Sequence, residues 1–480
     1  MTAQTTRTGG RRQAGQARQA RQETSGGRRA AGRGARWDAG VVAAAGVLFA
    51  VAAVVGHALN DDNRLHLHWP PLLAHYKLHF GPGSVAAPLV ALLIVVHGPA
   101  LAARLPWRRL LLAGWMSALA WTISLGLIDG WQRGITSRLA KRSEYLTEVD
   151  QVTGLGVFLS TFTDRILLDS ENNWTIHVAG HPPGALLTFV GLDRIGLSGP
   201  TWAAWFVLLT GASLVPAVLV TLRALGGGRE LWARRAAPFL VLAPAAVWLG
   251  VSADAYFAAA GAWALALLAL AATGRVRAPW AAALGSGLLL GWLLYLSYGM
   301  VLLAVPAVAV LLLAGNRRPL PWTLAGVLTV TALFTAGGFW WFDGYFTLYE
   351  RYYQGAASDR PYAYFLWANL AAQVPVLGLA GLVALRRAGA VALRERRSGW
   401  RAAWREPRGV LLSLVAAAVL AALIANLSAM SKAETERIWL PFTVWMLAAA
   451  ALLPRRSVRW WLAAQAAVAI TVDHLFYTGW

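Results

Sequence analysis

Long apolar runs separated by short polar stretches dominate the chain from about residue 40 onward. A helix that crosses a membrane needs about 20 apolar residues. Runs of that kind predict helices at 40–59, 85–103, 110–128, 199–222, 236–252, 255–273, 280–297, 299–315, 321–341, 363–385, 409–427, 438–453 and 459–477. The expected fold is therefore an all-α polytopic membrane protein with about thirteen transmembrane helices. Twelve or fourteen stay open, because the fifth and twelfth runs are short and the start of 299–315 is soft. Between 129 and 198 the pattern changes. Leu155, Phe158, Leu159, Phe162 and Ile166 recur at helical spacing with Ser160, Thr163 and Asp164 opposite, as in a helix lying on a membrane surface.

Composition agrees. The 480 residues are 58% hydrophobic and 14% charged, whereas soluble domains carry roughly a quarter charged residues. The net charge of +21 would suggest a nucleic-acid partner if it covered a folded surface, but it is sorted by segment. With the N-terminus inside, 31 of the 43 Lys and Arg fall in inner segments, with five acids, leaving the inside at +26 and the outside at −5. Arg104, Arg108 and Arg109, then Arg317 and Arg318, then the run Arg386 to Arg408 are typical inner connections. The positive-inside rule then predicts a multi-pass plasma-membrane protein with a cytoplasmic N-terminus, no nucleic-acid role, and Trp480 outside. Residues 1–39, with nine Arg and no apolar run, read as a disordered basic cytoplasmic tail rather than a signal peptide. There is no cysteine, hence no disulfide or thiolate metal site. Gly226-Gly227-Gly228 lacks the Lys-Ser/Thr of a phosphate loop, so ATP-driven transport has no support in this chain.

Chemistry-bearing residues collect in the predicted outer segments, chiefly 129–198, 342–362 and 428–437. In order they are the acidic stretch Glu144-Tyr145-Leu146-Thr147-Glu148-Val149-Asp150, the segment His177-Val178-Ala179-Gly180-His181-Pro182-Pro183-Gly184, Ser252-Ala253-Asp254-Ala255-Tyr256-Phe257, Leu296-Ser297-Tyr298-Gly299 and Glu434-Thr435-Glu436-Arg437-Ile438-Trp439. This order resembles the GT-C superfamily of integral-membrane glycosyltransferases, in the branch of protein O-mannosyltransferases and aminoarabinose transferases. The likeness spans about 110–455. That stretch would be the core, preceded by the tail and two helices at 40–109 and followed by a last helix at 456–480. Two departures stand out: Glu144 replaces the family's usual Asp, and it follows the third helix rather than the first.

The resemblance implies transfer of a sugar from a polyprenyl-phosphate donor to an envelope glycan, lipid or protein on the outer face. Such transfer needs a carboxylate to take the acceptor's proton and positive charge on the leaving phosphate. Glu144 is the first choice as base, with Asp129 and Asp150 as competitors. Tyr145, His181, Asp254, Lys432 and Arg437 are the expected substrate contacts. His181 either meets a phosphate or caps the helix that Pro182 and Pro183 begin. Arg437 either forks a phosphate or pairs with Glu434 or Glu436. Asp254, near lipid, must be used or paired. A divalent metal stays open; the pairs His75/His79 and His177/His181, four apart, are the only spacing that favours one. The tyrosines of 342–364 match interfacial aromatics, and Asp61, Asp62 and Trp69-Pro70-Pro71 read as structural. The rival reading is a transporter or lipid flippase, which should show internal repeats and midplane charges.

Overall fold

A computed structural model describes residues 34–403 and 406–478, apart from the side chains of 397–403. Most of the basic tail, part of the run 386–408 and Trp480 lie outside the described residues. The described chain is almost wholly helical. In order come α1 (Gly34–Ala58), a strand β1 (Ala74–Tyr76), α2 (Gly83–Arg104), α3 (Trp107–Gly126), α4 (Leu155–Thr161), α5 (Ile176–Ala179) and α6 (Pro183–Arg194). Then follow α7 (Pro200–Ala212), α8 (Leu214–Leu225), α9 (Leu231–Val241), α10 (Ala246–Leu249), α11 (Ala253–Thr273), α12 (Pro279–Leu296), α13 (Ala304–Ala314) and α14 (Leu320–Ala336). The last are α15 (Trp341–Tyr353), α16 (Tyr362–Ala403), α17 (Pro407–Leu427), α18 (Thr435–Ile438), α19 (Leu440–Leu447) and α20 (Val458–Leu475), before a strand β2 (Phe476–Thr478).

Every apolar run named above is mainly helical, but thirteen membrane spans are not supported. Seven helices are long and apolar enough to cross: α1, α2, the α7–α8 pair, α11, α12, α16 and α17. An eighth is reached if α14 and α15, bent by 74° against each other, count together. The shortfall has local causes. Arg108 and Arg109 open α3, and Arg459, Gln465 and Asp473 interrupt α20. Past Pro238 the fifth run breaks into α9 and α10, and the apolar helices at Tyr298–Ala314 and Leu440–Leu452 are short.

The helices pack as membrane helices do, through small residues. A Cβ on Gly287 of α12 would lie 2.0 Å from the Thr323 carbonyl of α14, so only glycine permits that approach. α11 is the central helix, with Ala258, Ala259, Ala262, Ala264, Ala266 and Ala269 all buried. α1 and α2, by contrast, expose Val47, Val51, Val54, Leu89, Leu92 and Leu93, as lipid-facing helices would.

The basic connections meet one another. Arg234 donates to the carbonyls of Ala102 and Leu105 at 2.7 and 2.9 Å, Arg235 bonds the Leu453 carbonyl, and Asp38 pairs with Arg386 and Arg387. The segments richer in acids and His meet elsewhere. β1 pairs antiparallel with β2, Ala74 opposite Thr478, which ties the segment 60–82 to the end of α20. The amphipathic surface segment is present as α4 and the following turn, with Phe158, Phe162 and Ile166 buried and Asp164 exposed. Phe162 stacks on Trp174, 5.5 Å between ring centres, and meets Phe339 edge-on at 5.6 Å. This aromatic knot holds the segment 155–181 against the helices.

Candidate functional site

Glu144 stands at the entrance to a 3-10 turn, Tyr145–Gln151, whose start is fixed by Glu144 N–H donating to the Lys141 carbonyl at 2.9 Å. The one-turn helix α5 docks beside it, because His177 N–H donates to the Ser143 carbonyl at 3.1 Å. Next comes Gly180-His181-Pro182-Pro183-Gly184. Pro182 is extended and Pro183 is the first residue of α6, where a missing N–H costs nothing. Gly184 lets the backbone approach α12: a Cβ there would lie 2.5 Å from the Tyr295 carbonyl. His181 does not cap α6; it donates from Nδ1 to the His177 carbonyl at 2.8 Å.

Two further elements complete the cluster. Ser252 caps α11, accepting from Asp254 N–H at 3.1 Å and donating to the Asp254 carboxylate at 3.0 Å. α18 carries Arg437, which pairs with Asp254 at 2.8 Å and with Glu434 at 3.2 Å. The His177 imidazole joins the two halves. Its Nδ1 lies 3.1 Å from Glu144 Oε1 and its Nε2 lies 3.4 Å from Arg437 Nη2. The guanidinium can only donate, so Nε2 accepts and the Nδ1 proton faces Glu144. The result is a buried chain Asp254–Arg437–His177–Glu144. Tyr145 covers it, its ring stacked at 29° to His177, 6.2 Å away, and at 24° to Phe189, 5.4 Å away. The Tyr145 hydroxyl is buried with no hydrogen-bond partner.

The electrostatics follow from burial and pairing. Burial pushes the Glu144 carboxyl up, but His177 and Arg437 outweigh it and hold the group below its usual value. His181 is drawn down to about 4, mainly by burial, despite the opposing pull of Asp254. It is neutral at pH 7, with Nε2 available to accept. Burial, reinforced by Glu144 and Asp254, raises the Tyr145 hydroxyl, which stays protonated. Asp254 and Glu434 thus pair with Arg437 directly, and Glu144 reaches it through His177.

Of the residues singled out from sequence, Glu144, Tyr145, His181, Asp254 and Arg437 come together, from segments up to 293 residues apart. Asp129 does not join them. It is buried in a second cluster, 2.7 Å from His79 Nε2 and 2.5 Å from Arg138. Asp150 is exposed and lines a groove on the far side of the turn. Lys432 lies beyond Glu434, donating to the Ala357 carbonyl at 2.8 Å, with Tyr353 4.8 Å from its ammonium. Arg360, at 2.8 Å from the Lys432 carbonyl and 3.8 Å from Glu434, links the two. The residue that sequence reasoning missed is His177, seen only as half of a metal spacing. Its one signal was its position four residues before His181.

The two His pairs turn to other partners. His68 stacks on His75 at 3.9 Å and His79 turns to Asp129. Among the described residues no group of three or more His, Asp or Glu is arranged to hold a metal. The carboxylates of the main cluster face His177 and Arg437 instead of one another, a donor set that does not fit a resident ion.

Scanned against protein-family models and curated proteins, the chain matches none of them. The class of protein that fold and composition define is a polytopic helical membrane protein with seven or eight candidate spans.

Proposed function

We propose that the protein transfers a sugar from a polyprenyl-phosphate carrier to a hydroxyl-bearing acceptor at the membrane surface, with Glu144 as base. The observation that carries this reading is the Glu144–His177–Arg437–Asp254 chain. A carboxylate held in its ionised form, with one oxygen 3.1 Å from the His177 imidazole, can take a hydroxyl proton as it leaves. In the step, the acceptor oxygen bonds the anomeric carbon as that carbon's bond to the phosphate oxygen breaks. The hydroxyl proton goes to Glu144, and the phosphate leaves on its lipid. His181 Nε2 and the Tyr145 hydroxyl supply an acceptor and a donor to orient sugar or acceptor hydroxyls. Arg437 is already paired with Asp254 and Glu434, which leaves little of its charge for the leaving phosphate. The reading therefore places it towards Lys432 and Arg360, with Arg437 chiefly positioning Glu144 and Asp254. The GT-C likeness of the motifs supports the same chemistry.

The test is direct. Lipid and glycan profiles of a deletion strain, complemented with wild type or Glu144→Gln, should show one unglycosylated acceptor accumulating in both the deletion and the variant. With donor and acceptor in hand, turnover by Glu144→Gln should fall about 10²–10⁴-fold, with donor affinity nearly unchanged. Normal turnover by Glu144→Gln with a dead Asp150→Asn would move the base to Asp150. Full activity in both variants would remove the chemistry from this reading.

A further inference from the structure

Beside the buried cluster, sharing Phe189 and the turn 145–151 with it, runs an open groove with a cavity volume of about 260 Å³. That is just under the roughly 300 Å³ at which built ligand sites begin, room for a headgroup and the top of a chain. Its walls are mostly apolar: Leu146, Val149, Phe189, Leu192, Leu197 and Ala203. Two carboxylates, Asp150 and Asp193, line it too. The adjacent cation, Arg194, is turned to the Val152 carbonyl at 3.0 Å. Asp193 also lies in the last turn of α6, where the helix carbonyls already make the potential negative. Across the groove α7 begins with Pro200, which has no N–H to offer an anion. The groove therefore selects for positive charge beside an apolar chain.

Its place selects the source. Gly199, Pro200 and Ala203 line it, and Pro200 opens the Pro200–Leu225 membrane span. The groove sits where that span ends, at the level of lipid headgroups. We propose that it holds a membrane lipid with a primary-amine headgroup, the ammonium between Asp150 and Asp193 and the upper acyl chain on the apolar walls. This site goes beyond the transfer reading and does not depend on it.

Because the chain has no cysteine, Leu197→Cys supplies a single thiol on the groove wall. The purified full-length variant is placed in nanodiscs of phosphatidylcholine alone, or with added phosphatidylethanolamine or phosphatidylglycerol. Its reaction with neutral methyl methanethiosulfonate is followed by intact mass. Phosphatidylethanolamine should slow the reaction about fivefold relative to the other two discs. An ammonium with N–H donors pairs with carboxylates, whereas a quaternary choline has no proton to donate. Asp150→Asn and Asp193→Asn, each added to Leu197→Cys, should return the rate towards the phosphatidylcholine value. Equal rates in all three discs, or slowing that survives both substitutions, overturns the proposal. If Leu197→Cys does not purify as a monodisperse protein, Ala203→Cys on α7 gives the same readout.

Discussion

At the scale of single residues, buried charge is the governing quantity. Arg437 is the hub: removing it strands Asp254 and Glu434, which typically costs 3–5 kcal/mol for a buried pair. Arg437→Ala therefore confounds stability with any contact to phosphate, and Glu144→Gln is the cleaner probe of chemistry. Glu436, one residue away, is fully buried. Its Oε1 accepts Leu73 N–H at 2.9 Å, while its Oε2 has no partner. Burial pushes its carboxyl up from 4.5 to about 7. A carboxyl raised on folding binds its proton more tightly in the folded state. Ionising it thus costs nothing below about pH 4.5, erodes stability as pH rises from there to about 7, and reaches its full cost above. Glu436→Gln keeps the acceptor for Leu73 and removes that cost, on the order of 3 kcal/mol. Its melting temperature should exceed wild type at pH 8 and match it at pH 4. An equal offset at both pH values would show that the carboxyl is not titrating in this window.

At the scale of elements, the segment before α18 gathers three of the six non-glycine residues with left-handed φ among the described residues. Ala429, Ala433 and Glu434 have φ of 62°, 78° and 62°, left-handed values that carry a cost without glycine. α16 holds them there. Asn369 donates to the Asn426 side chain and the Ser431 carbonyl and accepts from Ala433 N–H, at 2.9, 2.5 and 3.3 Å. Gln373 donates to the Thr435 carbonyl at 2.7 Å and accepts from Thr443 at 2.9 Å. Asn369→Ala leaves the Ser431 carbonyl and Ala433 N–H unpaired, a cost of about 1–3 kcal/mol. It should also release the segment that aims Arg437 and Lys432. The check is a lower melting temperature in detergent together with faster hydrogen exchange over 429–437. Faster exchange confined to α16 would show that the segment holds itself.

At the scale of the whole molecule, which end faces out is read from charge alone and is open to labelling. Single cysteines at Ser170, Ser358 and Ser431 should react with an impermeant thiol reagent added to intact cells, and Ser457→Cys should not. Labelling of Ser457→Cys alone would invert the orientation. Apolar length and charge sorting are local properties of the chain, and they sufficed for the predominantly helical fold and the approximate positions of the helices. Whether a helical run is also a span was only partly legible in the apolar count. It depends on breaks such as Pro238, on the bend between α14 and α15, and on polar residues such as Gln465 and Asp473 that tertiary contacts shelter. The surroundings of Glu144, Asp129 and Asp150 were not local. All three carboxylates look alike in sequence; only packing gave Asp129 to Arg138 and His79, left Asp150 in a groove, and set His177 between Glu144 and Arg437. Apolarity and net charge accumulate residue by residue along a chain, whereas a hydrogen bond needs two groups within about 3 Å. For segments hundreds of residues apart, only the fold supplies that distance.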